Sequence, residues 1–279
     1  MIAVDNFSLQ YGSAKRESDE DSPNKNIPIF TFVNFYELVR FIGYAKYINI
    51  NEKIFLRGQT RLHSSMAPSL YRDVKNIDRV YKGLSKEIKR LREAGILLSD
   101  SKAVTYSLLQ HYGLKTPYLD VVDNIWTALW FATHTATSTV VGTNEHINYS
   151  NSTTDFSYIL LIATDAMNEI GASGVYEGSE TELVDLRKAA PSIFLRPHLQ
   201  HAYTIKGKEN MGHDLSNRVT AIAEFPTNLG LEWLGTNALL TARALFPPVQ
   251  YDIGYRRLLS KYQVKPGNIK TYGSIQIVS

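Results

Sequence analysis

Between Tyr106 and His134 the chain reads YSLLQHYGLKTPYLDVVDNIWTALWFATH, and no other stretch limits the fold so strongly. Leu108 and Leu109 close one helix, and Gly113 stands where a helix C-terminal stop favours positive φ. The segment Thr116–Asp120 holds a proline that keeps it extended. Asp123 is placed to cap the next helix by accepting from its free amides. That helix carries Ile125, Trp126, Leu129, Trp130 and Phe131, so it is apolar on more than one face and is expected to be buried. His111, Thr116 and Asp120 are polar residues set into this apolar frame. Buried polar groups are satisfied, so these three are expected to bond to backbone, to each other or to a ligand.

A chain of 279 residues has ample length for a core. It holds no cysteine, which excludes thiol nucleophiles, disulfides and cysteine-bound zinc or iron–sulfur centres. No apolar run is long enough to span a membrane and no secretory leader pattern opens the chain, so a cytoplasmic protein with no membrane partner is expected. The net charge of +3 is compatible with an anionic partner without demanding one.

Residues 1–27 read as a flexible N-terminal segment, because Lys15 to Asn26 is nearly all charged or polar. Residues 28–279 read as one domain. Asn34 with Glu37 marks a helix start, followed by Leu38, Phe41 and Ile42 at helical spacing. Ile54–Arg57 is a buried strand ended by Gly58. Arg57 at that strand's end is either held by ion pairs and loop carbonyls or clamps an anion, which its guanidinium fork suits. Gln59–Arg72 reads as a loop to which Arg61, His63 and Arg72 add positive charge. Tyr81, Leu84, Ile88 and Leu91 mark a helix running to about Leu98, with Lys82, Lys86, Lys89, Arg90 and Arg92 on a solvated face. Thr135–Asp155, rich in Ser, Thr, Asn and Gly, reads as a long surface loop or insertion.

Phe156–Ala163 is a buried strand. Residues 165–180 read as a short helix and a Gly-rich loop, and Leu183–Leu186 as a strand. Pro191–Ile205 reads as a loop entering a strand at Gln200. Arg218–Phe225 returns as a strand that would form a hairpin with it. A last helix is expected from about Tyr251 to Tyr262. The fold class is therefore α+β, a central mixed or antiparallel sheet flanked by helices.

The motifs that would name a reaction outright are missing: no HExxH, no phosphate-cradling GxxxxGK[ST], no GxSxG elbow. His198 and His201, with His201 on a strand, would face opposite ways, so no metal site is expected. The acid pairs Glu177/Glu180 and Asp120/Asp123 read as loop surface and as turn and cap residues.

A set of spaced motifs says more. FLRGQ at 55–59 with PSLYR at 68–72, then Gln110-His111-Tyr112-Gly113, Thr116, Leu119-Asp120 and Ala128–Ala132, resembles the FRG-domain family, named for its Phe/Tyr-Arg-Gly motif. Arg196-Pro197 with Gln200, and Leu245-Phe246-Pro247, match two later family features in order. Lys115, Pro117 and Val121 depart from the family's second motif, where Pro, Arg and Trp are common. The resemblance implies bacterial toxin–antitoxin and anti-phage settings, hence an antitoxin or chaperone protein as partner.

Its motif layout is also similar to a divergent ADP-ribosyltransferase that uses NAD as co-substrate. On that analogy Arg57 binds the NAD phosphates or ribose, with Gln59 and Asp120 beside it. Thr116 and Tyr118 line the nicotinamide side. Gln200 takes the third position, with Glu224 as the alternative, and His111 orients the ribose or acts as a base. The acceptor would be RNA, DNA or protein. The alternative implied is a non-catalytic module that binds a nucleotide or a phage component.

Overall fold

The computed structural model describes residues 15–16, 27–72, 77–96, 99–141, 144–208, 213–236, 238–260 and 271–272. Most of the expected flexible segment 1–27, and the end of the helix expected near Tyr262, lie outside them. In chain order the first elements are β1 (Lys15–Arg16), β2 (Ile29–Thr31), α1 (Phe35–Ile48), β3 (Ile54–Gln59), α2 (Ile77–Glu93), α3 (Lys102–His111), β4 (Leu119–Val122) and α4 (Ile125–Thr133). There follow β5 (His134–Val141), β6 (Asn144–Asn151), β7 (Phe156–Ala163), β8 (Asn168–Glu169), β9 (Val175–Glu177), β10 (Thr181–Asp185), α5 (Leu186–Ala189) and α6 (Leu195–Leu199). The last are β11 (Ala202–Gly207), β12 (Val219–Pro226), α7 (Thr227–Trp233), α8 (Ala242–Leu245), α9 (Ile253–Ser260) and β13 (Thr271–Tyr272).

The fold is α+β. One large sheet runs β1-β2-β12-β7-β3-β4-β11-β10-β9-β8. It is mixed: β2 and β12 are parallel and its other neighbours antiparallel. Strand alternation sends Phe55, Leu119, Val121, Leu160 and Ile162 to one face, into a core closed by Met66 and Leu215. The other face carries the helices in two groups. Leu38 and Phe41 of α1 and Leu129 and Trp130 of α4 cover Leu56, Ile159 and Ala223. α2, α3 and α9 enclose Tyr118, Val184 and Ala202. The two groups meet over the junction of β3 and β4.

That junction is the weak seam of the sheet. β3 follows β7 through six successive residue pairs, from Ile54↔Ala163 to Gln59↔Tyr158. With β4 it shares the single pair Leu56↔Val122. The strands part beyond it, and α4 is pressed against β3 instead. A Cβ on Gly58 would lie 1.9 Å from the Ala128 carbonyl oxygen and 2.6 Å from the Ala132 nitrogen. The glycine of the FLRGQ motif is thus the residue that lets helix backbone reach strand backbone.

Several local expectations are corrected. The helix α4 is capped by Asn124, whose Oδ1 accepts from the amides of Trp126 and Thr127; Asp123 instead takes the Arg187 guanidinium at 2.9 Å. Residues 134–141 and 144–151 are strands, not a loop. β5 and β6 pair in register from His134↔Asn151 to Val141↔Asn144 and, with β13, form a separate three-stranded sheet. Thr and Val are good strand formers, and a polar composition suits a ribbon with one face in water. Residues 165–180 hold the short strands β8 and β9 rather than a helix.

β11 and β12 do not form a hairpin; β11 lies between β4 and β10, and β12 between β2 and β7. Gln200 ends α6 and does not open a strand, and His201 sits in the following turn at φ 50°. The expected buried strands at Ile54–Arg57 and Phe156–Ala163, the Asn34 cap and the positive φ of Gly113 are present.

The close approach at Gly58 gives a direct test. Gly58→Ala is expected to cost about 3 kcal/mol and lower Tm by roughly 6–12 °C. Gly43→Ala, exposed on α1 with open space around its Cβ, is expected to leave Tm unchanged or raise it slightly. Thermal melts of both variants check this, and a Gly58→Ala protein as stable as the wild type would refute the close approach.

Candidate active site at the strand seam

Where β3 and β4 part, a cavity of about 220 Å³ opens. Its polar wall is Arg57, Gln110, His111, Asp120 and Gln200; its apolar wall is Phe131, Tyr149 and Phe246.

Arg57 leaves the end of β3 and Nη1 donates to the Asp120 carbonyl oxygen at 2.5 Å, bridging the gap that the ladder leaves open. Its Nε is enclosed and has no protein partner among the described residues. Burial pushes the guanidinium down from its usual value, while Asp120 opposes the shift and Arg72 reinforces it. The first sequence reading of Arg57 holds, since one arm bonds a carbonyl, and the side chain also lines the cavity.

A polar chain fixes the opposite side. Thr116, fully buried, donates to Gln110 Oε1 from its amide at 3.2 Å and from its hydroxyl at 2.9 Å. With its oxygen occupied, Gln110 presents its Nε2 to Asp120 Oδ2 at 3.3 Å. His111 Nε2 stands 3.2 Å from Asp120 Oδ1. The alignment is too poor for a hydrogen bond, so both atoms remain buried without one. Burial holds the His111 ring below its usual value; Asp120 and Gln200 oppose this and Arg196 adds to it.

Arg196 braces the site from behind. It is fully buried, and Nη1 donates to the His111 carbonyl at 2.6 Å. The guanidinium lies over the rings of Tyr112 at 4.5 Å, Tyr255 at 4.6 Å and Phe246 at 5.4 Å. Gln200, four residues on, donates to the Leu245 carbonyl at 2.9 Å. The late Leu-Phe-Pro motif is thereby tied to α6, and α6 to the end of α3.

Of the residues expected from sequence, the cavity gathers Arg57, His111, Asp120 and Gln200. It does not gather Gln59, Thr116, Tyr118 or Glu224. Gln59 shares the strand face of Arg57, but its Nε2 turns to Met66 Sδ at 3.5 Å and not into the cavity. Thr116 positions Gln110 and has no surface toward the cavity. The Tyr118 hydroxyl donates to Glu182, and the ring lines a different groove. Glu224 lies on β12, two strands from β3, and accepts from Thr31 at 3.1 Å. Asp120 is the carboxylate that lines the cavity. Among the described residues no group of three or more His, Cys, Asp or Glu could hold a metal ion, and no helix is long and apolar enough to cross a membrane.

The FRG domain family model matches residues 52–140. The chain carries an FRG domain. No curated protein and no solved structure matches it. The FRG segment supplies Arg57, Gln110, His111, Asp120 and Phe131, and the cavity is completed from outside it by Tyr149, Gln200 and Phe246. Sequence reasoning missed Tyr149. It sits on β6, its ring 4.8 Å from that of Phe246 and 5.0 Å from that of Trp130. Burial raises its hydroxyl pKa, which keeps it a neutral donor. The available signal was Ile147 and Tyr149, two large apolar residues at strand spacing inside a polar stretch.

The depressed His111 sets a sign for acid sensitivity. Unfolded, the ring titrates near 6.5; folded, it titrates lower, so the unfolded chain binds the proton first. The stability this residue confers by staying neutral is present above that value and is lost as pH falls through the folded one. In urea melts against pH, His111→Asn is therefore expected to lose less stability than the wild type below pH 6.5. Parallel profiles would show that the ring is not held neutral.

Proposed function

We propose that this FRG-domain protein is an ADP-ribosyltransferase-like effector that transfers ADP-ribose from NAD to a nucleic-acid or protein acceptor, in a toxin or anti-phage setting. The observation that carries the reading is the cavity at the β3–β4 seam. It combines a partly unpartnered guanidinium, a neutral imidazole and a carboxylate at one wall with a wall of aromatic rings. Its volume suits a nicotinamide and part of a ribose rather than a whole dinucleotide, so the adenosine end would lie outside it.

In the transfer, the bond from ribose C1′ to the nicotinamide nitrogen breaks and the electron pair leaves with neutral nicotinamide. An acceptor oxygen or nitrogen then bonds to C1′ and gives up its proton. The aromatic rings of Phe131, Tyr149 and Phe246 suit the face of the nicotinamide. Arg57 suits a phosphate or a ribose hydroxyl. Asp120 offers the cavity a carboxylate suited to stabilising the cation-like sugar, a task for which Gln200, a neutral amide already given to Leu245, is poorly suited. His111, neutral and without an aligned partner at Nε2, is able to take the acceptor proton.

The second reading is a non-catalytic module that holds a nucleotide or a phage component in the same cavity. It is favoured by the neutral Gln200 in the third position, where a carboxylate would serve catalysis better.

Nicotinamide release from NAD, followed with RNA, DNA and cell lysate as acceptors, separates the two. Arg57→Ala is expected to lower kcat/KM by about 10²–10³ and Tyr149→Phe by roughly tenfold, each with wild-type circular dichroism. Folded wild-type protein that leaves NAD intact with every acceptor would favour the binding module. An Arg57→Ala chain that fails to fold would make Arg57 a structural residue.

A further inference from the structure

A second concavity lies on the helix side of the sheet, between the start of α3, the extended residues before β4 and the ends of β9, β10 and β11. Its volume is about 1000 Å³, enough for one or two nucleotide units. It is lined by π faces and by charges of both signs. The rings of Tyr71 and His213 stack with centroids 3.7 Å apart and planes 8° apart. The Tyr71 hydroxyl meets that of Tyr81 at 2.6 Å, and the Tyr81 ring stands beside the stacked pair with its plane tilted 57° from that of Tyr71. Around these rings stand Lys102, Lys206 and Lys208. Lys206 lies 3.3 Å from Glu182, Lys208 2.6 Å from Glu177, and Lys102 Nζ sits 5.3 Å from the Tyr106 ring centroid.

We propose that this groove binds a nucleoside phosphate unit, presented as a free nucleotide or as part of a single-stranded nucleic acid. A base stacks on the Tyr71–His213 pair, with the Tyr81 ring at its side, since aromatic side chains accept any base face. The lysines take the phosphate. Glu177 and Glu182, which hold two of those lysines while the groove is empty, become acceptors for exocyclic amines of the base once the lysines turn to the anion. An acidic peptide would use the lysines but leave the rings idle and meet both carboxylates. A duplex keeps its bases stacked inside, so it could not lay one on the pair.

The groove and the seam cavity are neighbours. Tyr106 lines the groove and Gln110, one helical turn on, lines the cavity. Tyr118 and Asp120, alternate residues of one extended segment, do the same. The hydrogen-bonded Thr116–Gln110–Asp120 chain stands between them. Binding in the groove does not depend on what the cavity does; its service as an acceptor site rests on the transferase reading.

The test is fluorescence anisotropy with short labelled single-stranded RNA and DNA of mixed sequence, a duplex control, and AMP and GMP as competitors. The variants are Lys102→Ala/Lys208→Ala/His213→Ala, whose side chains reach the surface, and Lys89→Ala, exposed on α2 and outside both the groove and the cavity, as the control. Single strands are expected to bind. The triple variant is expected to weaken binding by about tenfold or more, with a salt dependence shallower by about 0.7 for each phosphate no longer neutralised. Lys89→Ala should bind as the wild type does. Competition by AMP or GMP extends the site to free nucleotides, and nucleotide binding without strand binding assigns it to them alone. Unchanged affinity in the triple variant, an equal loss in Lys89→Ala, preference for the duplex, or no binding of either ligand would overturn the proposal.

Discussion

One hydrogen bond holds the site open and the sheet together at the same place. β3 and β4 share a single backbone pair, so the sheet would have a hole if nothing crossed it. The Arg57 guanidinium crosses it and gives one nitrogen to the Asp120 carbonyl. A neutral side chain of that reach would close the gap more cheaply, because removing a cation from water is costly. The arginine keeps an unpartnered Nε at the edge of a cavity whose wall contains a carboxylate. That choice makes sense for a site that meets an anion or a polarised sugar.

The remaining polar residues are arranged so that few of them move. Thr116 fixes Gln110, Gln110 fixes Asp120, and Arg196 fixes the backbone of His111 while three rings pack around its guanidinium. Gln200 ties the same unit to the Leu245 carbonyl. The four spaced motifs of the sequence are therefore one physical object: each holds another in place at the end of α3. The aromatic wall is held differently. Tyr149 arrives on a hairpin from the small second sheet and is kept by stacking on Phe246 and by a tilted contact with Trp130.

Much of this was legible in the residues and some was not, for specific reasons. The buried strand ending in Arg57 announced itself because an apolar run stops at a charge and a glycine. The reason for that glycine was not readable, since it lies in the backbone of α4, some seventy residues away. His111 and Asp120 stood out as polar residues in an apolar frame, and they do converge. Thr116 stood out for the same reason yet spends its bonds on Gln110. Tyr118 was misplaced because a strand neighbour of a site residue need not face the site.

The error over β11 and β12 has a general cause. Two apolar strands separated by a polar turn look like a hairpin locally. The near-continuous burial of β12 fits a strand with neighbours on both sides, and those neighbours came from distant parts of the chain. Tyr149 escaped notice because a threonine-rich ribbon and a threonine-rich loop have the same composition.

The central claim is that the parted strands make a site for the nicotinamide end of NAD. The most direct measurement is a crystal structure with a non-cleavable NAD analogue. The account predicts the nicotinamide ring against Tyr149 and Phe246, with Arg57 and Asp120 touching the ribose or phosphate. Analogue bound elsewhere, or a seam cavity that stays empty at saturating analogue, would contradict it.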